Sequence, residues 1–124
     1  MSPDTVVSVK VVPVTSEVPD TGVPVVGTVV LVATPGHTPG HLSVLLHLPE
    51  TGAVLLPGDA AWTRRTLLDD AAVSGLLWDE PTWERSRRRL RHLLAENEAR
   101  VFYTHEPDQF SAATENWRSG ESYR

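Results

Sequence analysis

The sequence has 124 residues, enough for a chain to bury a hydrophobic core, and we predict a single domain over residues 1–124. With 40% hydrophobic and 22% charged residues, the chain is too apolar for general disorder. Its formal net charge of -5 repels polyanions, which argues against nucleic acid as a partner. Because the chain contains no cysteine, any metal ion must be held by nitrogen and oxygen atoms.

The beginning of the chain bears on its location in the cell. The first residues, Met-Ser-Pro-Asp, have neither the basic start nor the apolar run of a signal peptide. The longest apolar stretch, residues 23–33, is too short to span a bilayer and is interrupted by Pro24 and Gly27. We therefore expect a soluble cytoplasmic protein without a membrane partner.

The first predicted elements are strands. Thr5–Val14 and Thr28–Val32 are rich in valine, whose β-branched side chain favours a pleated strand. Residues 15–22 contain proline, aspartate and glycine and are predicted to be a loop. Leu42–Leu48 and Ala53–Leu56 lie on either side of a short connection that contains glycine, a pattern typical of a β-hairpin.

A long helix is predicted next, from about Asp79 to Ala99, with Pro81 near its start, where the missing N–H costs little. Its apolar stripe contains Trp83, Leu90, Leu93 and Leu94. Five arginines form a basic cluster that we interpret as a solvated helix face: Arg85, Arg87, Arg88, Arg89 and Arg91. A short strand, 101–103, is predicted to follow, and residues 111–124 are expected to be a flexible tail.

The candidate functional residues are histidines and an aspartate at predicted strand ends. The segment TPGHTPGH, Thr34–His41, contains two Pro-Gly turns, each followed by a histidine. Asp59 follows the second strand of the hairpin, and His105 follows the last strand. Neutral imidazole and carboxylate groups are favoured zinc ligands. We predict that His41, Asp59 and His105 converge as metal ligands on one side of the sheet.

Simpler interpretations exist for each of these residues. A histidine in a loop is usually solvated, and an aspartate after glycine often caps the following segment. His37 is predicted to make a second-shell or turn-stabilising hydrogen bond and not to be a ligand. His47 and His92 are predicted to be solvated. The repeated Pro-Gly-His context favours the metal interpretation for His41.

Two segments resemble a known family. Residues 34–62, TPGHTPGHLSVLLHLPETGAVLLPGDAAW, and residues 101–110, VFYTHEPDQF, resemble metallo-β-lactamase-fold hydrolases, and the subgroup most similar is the N-acyl homoserine lactonases. The resemblance implies an α/β (α+β) fold, the C-terminal half of an αββα sandwich, with one long helix packed on one mixed β-sheet. It also implies a small-molecule ester or lactone substrate and two zinc ions sharing a hydroxide, with His41 on the first, His105 on the second and Asp59 bridging both.

The sequence departs from the family pattern at two places. The motif His-x-His-x-Asp-His, which supplies four ligands, is absent, and the chain begins after the place where this motif belongs. The lactonase subgroup has a tyrosine three residues beyond the bridging aspartate, where this chain has Trp62, which we expect at the rim of the site. No catalytic side chain beyond the metal ligands is assigned. We therefore expect weak zinc binding and little hydrolysis by the chain alone.

Other interpretations remain open. The chain is alternatively a non-catalytic remnant, or an accessory subunit that pairs with a separate N-terminal half. A glyoxalase-like thioesterase is a further alternative within the same fold. One face of the sheet is expected to lack its usual cover, which makes a homodimer through that face a hypothesis.

Overall fold

The computed structural model describes residues 6–7, 16–17, 24–25, 28–109 and 111. Over these residues the chain forms strands, two α-helices and one 3₁₀ turn at Gly58–Ala60. The strands are β1 Val6–Val7, β2 Ser16–Glu17, β3 Pro24–Val25, β4 Thr28–Ala33, β5 Leu42–Leu48, β6 Gly52–Leu56 and β7 Arg100–Val101. The helices are α1 Arg64–Leu68 and α2 Glu80–Glu96.

Five strands form a mixed sheet in the order β1-β4-β5-β6-β7. All neighbours are antiparallel except β6 and β7, which are parallel because the chain returns through α2 before β7 begins. The predicted hairpin is confirmed as β5 and β6, with Leu45 opposite Leu55 and with Gly52 at a φ of +85° in the turn. The predicted fold, one mixed sheet with one long helix, is confirmed.

The N-terminal and C-terminal predictions are tested only in part. Of the predicted strand Thr5–Val14, only β1 is described, and it pairs with β4. Within the predicted loop 15–22, β2 instead pairs with β3, so the loop prediction is wrong at these two residues because backbone pairing outweighs the local turn composition. The predicted tail, 111–124, lies outside the described residues apart from Ser111.

Helix α2 begins and ends close to the predicted bounds. The Asp79 side chain caps its start by accepting a hydrogen bond from the Thr82 backbone N–H at 3.0 Å, and Pro81 lies in the first turn. Fully buried Trp83 and Leu90 face the sheet, and Leu90 belongs to the hydrophobic core with Leu45. The predicted apolar stripe is therefore present on the face of the helix that packs on the sheet.

One arginine on this helix contradicts the interpretation of a solvated basic face. Arg87 is only 2% exposed, and its guanidinium donates to the backbone carbonyls of Thr66, Asp69 and Ala72. The cluster is solvated at Arg85 and Arg88, which are exposed. Arg87 is buried because the end of α1 and the loop after it supply carbonyl acceptors, which no helical pattern can indicate.

The sheet face turned away from α2 carries only aliphatic side chains on β4, β5 and β6. Strand alternation and the observed register put Leu31, Val44 and Leu56 side by side on this face, and all three are partly exposed. Leu42, on the same face, is 46% exposed. In the part of the chain that the structure describes, no helix is long and apolar enough to cross a membrane.

Candidate metal centre

The candidate site lies at one end of β4, β5 and β6. The loop Thr34–His41 connects β4 to β5 and is closed by a hydrogen bond from the Thr34 backbone N–H to the His41 carbonyl at 3.0 Å. The carbonyl of Gly36 accepts from the backbone N–H groups of Trp78 and Asp79 at 2.8 and 3.1 Å. The TPGHTPGH loop is therefore held against the start of α2 as well as against the sheet.

His41 is fixed in one tautomer by its neighbours. Its Nε2 accepts from the backbone N–H of Asp59 at 3.1 Å, so this nitrogen carries no proton. The proton is then on Nδ1, which donates to Thr34 Oγ1 at 2.8 Å. The hydroxyl of Thr34 in turn donates to Ser43 Oγ at 2.8 Å, and Ser43 donates to the carbonyl of Pro57 at 3.0 Å. Each donor in this chain has an acceptor, and the imidazole is neutral.

The electrostatics agree with a neutral imidazole. Burial lowers the pKa of His41 below its ordinary value of 6.5, and His37 lowers it further. The Asp59 carboxylate and a hydrogen bond with the Thr34 backbone oppose this shift without cancelling it. A neutral imidazole with a directed Nε2 lone pair is the form in which histidine binds metal ions.

The lowered pKa of His41 predicts how stability depends on pH. Below pH 6.5 the unfolded chain takes up a proton that the folded chain does not, so acid favours unfolding. This contribution to stability is complete above pH 6.5 and is lost as the pH falls from 6.5 towards the folded pKa. Denaturant unfolding between pH 7.5 and 5 should show a weaker pH dependence for His41→Asn than for wild type. The matched control is His92→Asn, at an exposed position, and it should behave as wild type. If the free energy of unfolding of His41→Asn changed with pH as steeply as that of wild type, the prediction would be contradicted.

Asp59 is presented by the turn after β6. Gly58 has a φ of +59°, and a Cβ added there would lie 3.2 Å from His41 Nε2, so glycine permits the turn to pass this close to the imidazole. The Asp59 carboxylate does not cap the following helix, because Thr63 Oγ1 performs that role for α1. Instead Oδ1 accepts from the indole Nε1–H of Trp62 at 2.9 Å.

His37 lies on the other side of the same carboxylate. Its Nε2 is 3.5 Å from Asp59 Oδ2, and its Nδ1 lies 2.7 Å from the carbonyl of Leu76. The ring centroids of His37 and His41 are 6.2 Å apart. His37 thus contacts the loop before α2 through Nδ1 and faces Asp59 through Nε2.

His105 reaches the same end of the sheet but contacts Trp62 and not Asp59. Its ring stacks on the indole with centroids 4.6 Å apart and an interplanar angle of 29°. Its backbone N–H donates to the carbonyl of Trp62 at 3.0 Å, and its Nδ1 is 2.7 Å from Thr104 Oγ1. Trp62 therefore contacts Asp59 through the N–H edge of its indole and His105 through the face of the ring.

The candidate site contains side chains that could bind a metal ion, but they are not grouped around one point. Among the described residues no group of three or more His, Cys, Asp or Glu side chains could hold a metal ion. His41 has the tautomer and charge of a ligand, and the Asp59 side chain is 50% exposed. These residues therefore do not form a complete metal site by themselves.

Three residues of the site region were not recognised from the sequence. Thr34 and Ser43 were assigned no role, although both are fully buried and set the tautomer of His41. Trp83 was assigned only to the core, but its Nε1–H donates to the carbonyl of Ala60 at 2.8 Å and so holds the turn that carries Asp59. The available signal was a polar residue directly after the apolar end of β4, Thr34, and another near the start of β5, Ser43.

An α+β domain with one mixed sheet, one long helix, and histidine and aspartate side chains at the strand ends defines the class of this protein. Comparison with known protein families identifies the family within this class. Residues 3–105 match the family described as the Metallo-beta-lactamase superfamily, and the chain belongs to that superfamily.

The curated relatives include N-acyl homoserine lactonases. The chain is 41% identical over 85 residues to the lactonase AttM of Azorhizobium caulinodans, covering 66% of this chain and 31% of the relative. It is 35% identical over 85 residues to the lactonase of Bacillus cereus, covering 68% and 33%. The chain thus spans about a third of the length of these relatives.

Solved structures give the same result. One is an N-acyl homoserine lactone hydrolase with the product N-hexanoyl-L-homoserine bound at its catalytic metal center. It matches with a TM-score of 0.61 and 31% identity, over 68% of this chain and 33% of that chain. The resemblance found in the sequence is therefore confirmed at the level of the family and of its lactonase members.

Proposed function

We propose that this chain supplies His41, Asp59 and His105 as metal ligands of a hydrolase that opens an ester or lactone in a small molecule. One observation carries the proposal. Nε2 of a neutral His41 is directed at the turn that presents Asp59, with the tautomer fixed through Thr34 and Ser43. A hydrogen bond on the distal nitrogen is the usual support of a metal-binding histidine.

The chemistry follows from what the residues offer. If these residues held a zinc ion, the ion would supply a bound water of lowered pKa and would polarise a carbonyl oxygen. His41 contributes a neutral nitrogen, and Asp59 contributes an anionic oxygen that is already oriented by Trp62. The relatives named N-acyl homoserine lactonases support a lactone as the substrate class for the intact enzyme.

The number of ligands supports a second candidate function, in which this chain holds only part of a metal site. Catalytic zinc sites use about three protein ligands for each ion. In the family arrangement each ion would keep two of the three residues, and none of the five histidines forms the missing His-x-His-x-Asp-His pattern. The second candidate is accordingly an accessory role, in which the chain acts only when paired with an N-terminal half or a second copy.

The cytoplasmic location of the protein stays a prediction.

We expect the purified chain to bind zinc weakly and to hydrolyse homoserine lactones little or not at all. Zinc titration by calorimetry and a lactone-opening assay test this, with the chain alone and with a supplied fragment carrying the missing motif. With the fragment, Asp59→Ala should reduce turnover about a hundredfold or more, by analogy with the loss of a group that stabilises the transition state. The control, His92→Ala, should have no effect.

Light scattering on the same samples reports the assembly. A mass of two chains, or of one chain with the fragment, supports pairing. Robust turnover by the chain alone, abolished by Asp59→Ala, would contradict the requirement for a partner. Turnover unaffected by Asp59→Ala would contradict the proposed ligand set itself.

A further inference from the structure

We propose that Glu106 and Gln109 are positioning residues that fix the loop of His105 against the segment Trp62–Arg64. The inference rests on the ligand role proposed above for His105 and adds the side chains that set where this histidine lies. It concerns the run Glu-Pro-Asp-Gln directly after His105, to which the sequence assigned no role of its own.

The Gln109 side chain binds the backbone around the end of β7 at two places. Its Oε1 accepts from the Tyr103 backbone N–H at 2.7 Å, and its Nε2 donates to the Val101 carbonyl at 2.5 Å. Between these two residues, the Phe102 backbone N–H donates to the carbonyl of Leu55 on β6 at 2.9 Å. A side-chain amide has both an acceptor oxygen and a donor nitrogen, so Gln109 pairs with this edge of the sheet as a neighbouring strand would. The loop that contains His105 is thereby closed.

Glu106 attaches the same loop to the first turn of α1. Its Oε1 accepts from the backbone N–H of Arg64, the first residue of that helix, at 2.7 Å. The first N–H groups of a helix have no acceptor within it, and a carboxylate forms the stronger, charge-assisted kind of hydrogen bond with them. Thr63 Oγ1 accepts from the N–H of Thr66, so the two side chains satisfy different donors of this turn. Loss of the Glu106 carboxylate would therefore release the loop without removing the cap of α1.

His105 lies between these two attachments. Its backbone N–H donates to the Trp62 carbonyl at 3.0 Å, and its ring stacks on the indole with centroids 4.6 Å apart. Because His105 is exposed, few surrounding atoms restrain it, and the bonds of Glu106 and Gln109 supply the restraint. The indole of Trp62 also donates to Asp59 Oδ1 at 2.9 Å, so the two attachments set where His105 lies relative to Asp59.

The test is hydrogen exchange of the full chain, followed by nuclear magnetic resonance without metal or substrate. The reporter is the backbone amide of His105, whose bond to the Trp62 carbonyl breaks when the loop opens. We expect this amide to exchange about tenfold faster in Glu106→Ala and in Gln109→Ala, because each variant removes hydrogen bonds that favour the closed loop. The ring protons of His105 should shift at the same time towards the values of the exposed His92, because the stack is lost.

Asp108→Ala is the matched control, since it removes the same charge as Glu106→Ala from an exposed residue of the same run. Glu106→Gln is the conservative variant: it keeps an acceptor oxygen for the Arg64 N–H and should retain most of the protection of the His105 amide. The amides of β5, in the middle of the sheet, separate positioning from a general loss of stability, because a general loss would speed their exchange as well.

The proposal is overturned if both alanine variants leave the His105 amide and ring as in wild type. It is also overturned if Asp108→Ala acts as strongly as Glu106→Ala, or if the β5 amides lose protection to the same extent as His105. An effect of only one alanine variant overturns the role of the other residue.

The wild-type chain provides a check that does not depend on how the variants fold. The side-chain amide protons of Gln109 should show nuclear Overhauser contacts with Val101 and Tyr103, and their absence would overturn the role of Gln109. None of these measurements involves metal binding or hydrolysis, so the zinc titration and the lactone assay would reveal a failure of the ligand role separately.

Discussion

Replacing Gly36 by alanine should destabilise the fold by about 3–5 kcal/mol, a large share of the stability of an ordinary domain, which is about 5–15 kcal/mol. A Cβ at this position would lie 2.4 Å from Trp83 Cα and 2.5 Å from its Cβ. Gly36 also has a φ of +144°, a backbone angle that residues with a side chain rarely adopt. Steric overlap and backbone strain therefore act together.

The overlap cannot be relieved locally, because the obstructing atoms belong to the backbone of α2. Moving the helix away would stretch the bond from Trp83 Nε1–H to the Ala60 carbonyl and the bond from Ser86 Oγ to the Pro35 carbonyl, at 2.8 and 2.6 Å. The first of these holds the turn that carries Asp59. Loss of stability and loss of the candidate site are therefore expected together.

Gly40→Ala is the matched control for Gly36→Ala, since the glycine belongs to the second Pro-Gly pair of the same loop. A Cβ at Gly40 meets nothing within 4 Å, and the described glycines with positive φ do not include it. We expect a change within about 1 kcal/mol, of either sign. Urea unfolding followed by circular dichroism measures both variants, and similar losses in the two would contradict the steric argument.

Replacing Arg87 by methionine should cost about 3–5 kcal/mol, because the arginine is the buried partner of several polar groups at once. Its Nη1 donates to the carbonyls of Thr66, Asp69 and Ala72 at 3.2, 3.0 and 2.6 Å. Its Nη2 contacts the Glu84 carboxylate at 2.6 and 2.8 Å. Methionine resembles the stem of arginine but lacks the guanidinium, so these acceptors are left without their donor.

The position of Arg87 also couples the loop after α1 to the candidate site. The guanidinium lies 4.6 Å from the centroid of the Trp83 ring, over the indole whose N–H binds the carbonyl of Ala60. Arg87→Lys should lose somewhat less stability than Arg87→Met, since an ammonium keeps the charge but cannot form the same planar set of bonds.

Arg88→Met is the control for Arg87→Met. It removes the same charge from the next residue, which is exposed, and should change stability by less than about 0.5 kcal/mol. Denaturant unfolding compares the two, and hydrogen exchange at the Ala72 amide, which donates to the Asp69 carbonyl, reports release of the loop. Equal stability of the two methionine variants would show that the buried contacts of Arg87 contribute nothing.

Local patterns in the sequence were sufficient for most of the elements. The hairpin follows from two apolar runs around a glycine turn, and α2 follows from helical spacing with Asp79 and Pro81 at its start. These features depend on residues within a few positions of one another, where steric preference and capping act directly. The same holds for the TPGHTPGH loop, whose Pro-Gly pairs dictate tight turns.

The sequence predicts candidate ligands at strand ends, and the tertiary structure decides how their side chains contact one another. In the folded chain the backbone N–H of Asp59 donates to His41 Nε2. The contacts of Trp62 with both Asp59 and His105 had no sequence signal, because they depend on which way an indole turns after the chain has folded.

The burial of Arg87 was likewise decided by the tertiary structure alone. In the sequence it is one of five arginines on a helix, and its charge predicts exposure. Only the folded chain brings the carbonyls of Thr66 and Ala72, 21 and 15 residues away in sequence, within reach of its guanidinium. A charge enters the interior when hydrogen-bond acceptors replace the water it loses, and those acceptors come from segments that the helical pattern does not contain.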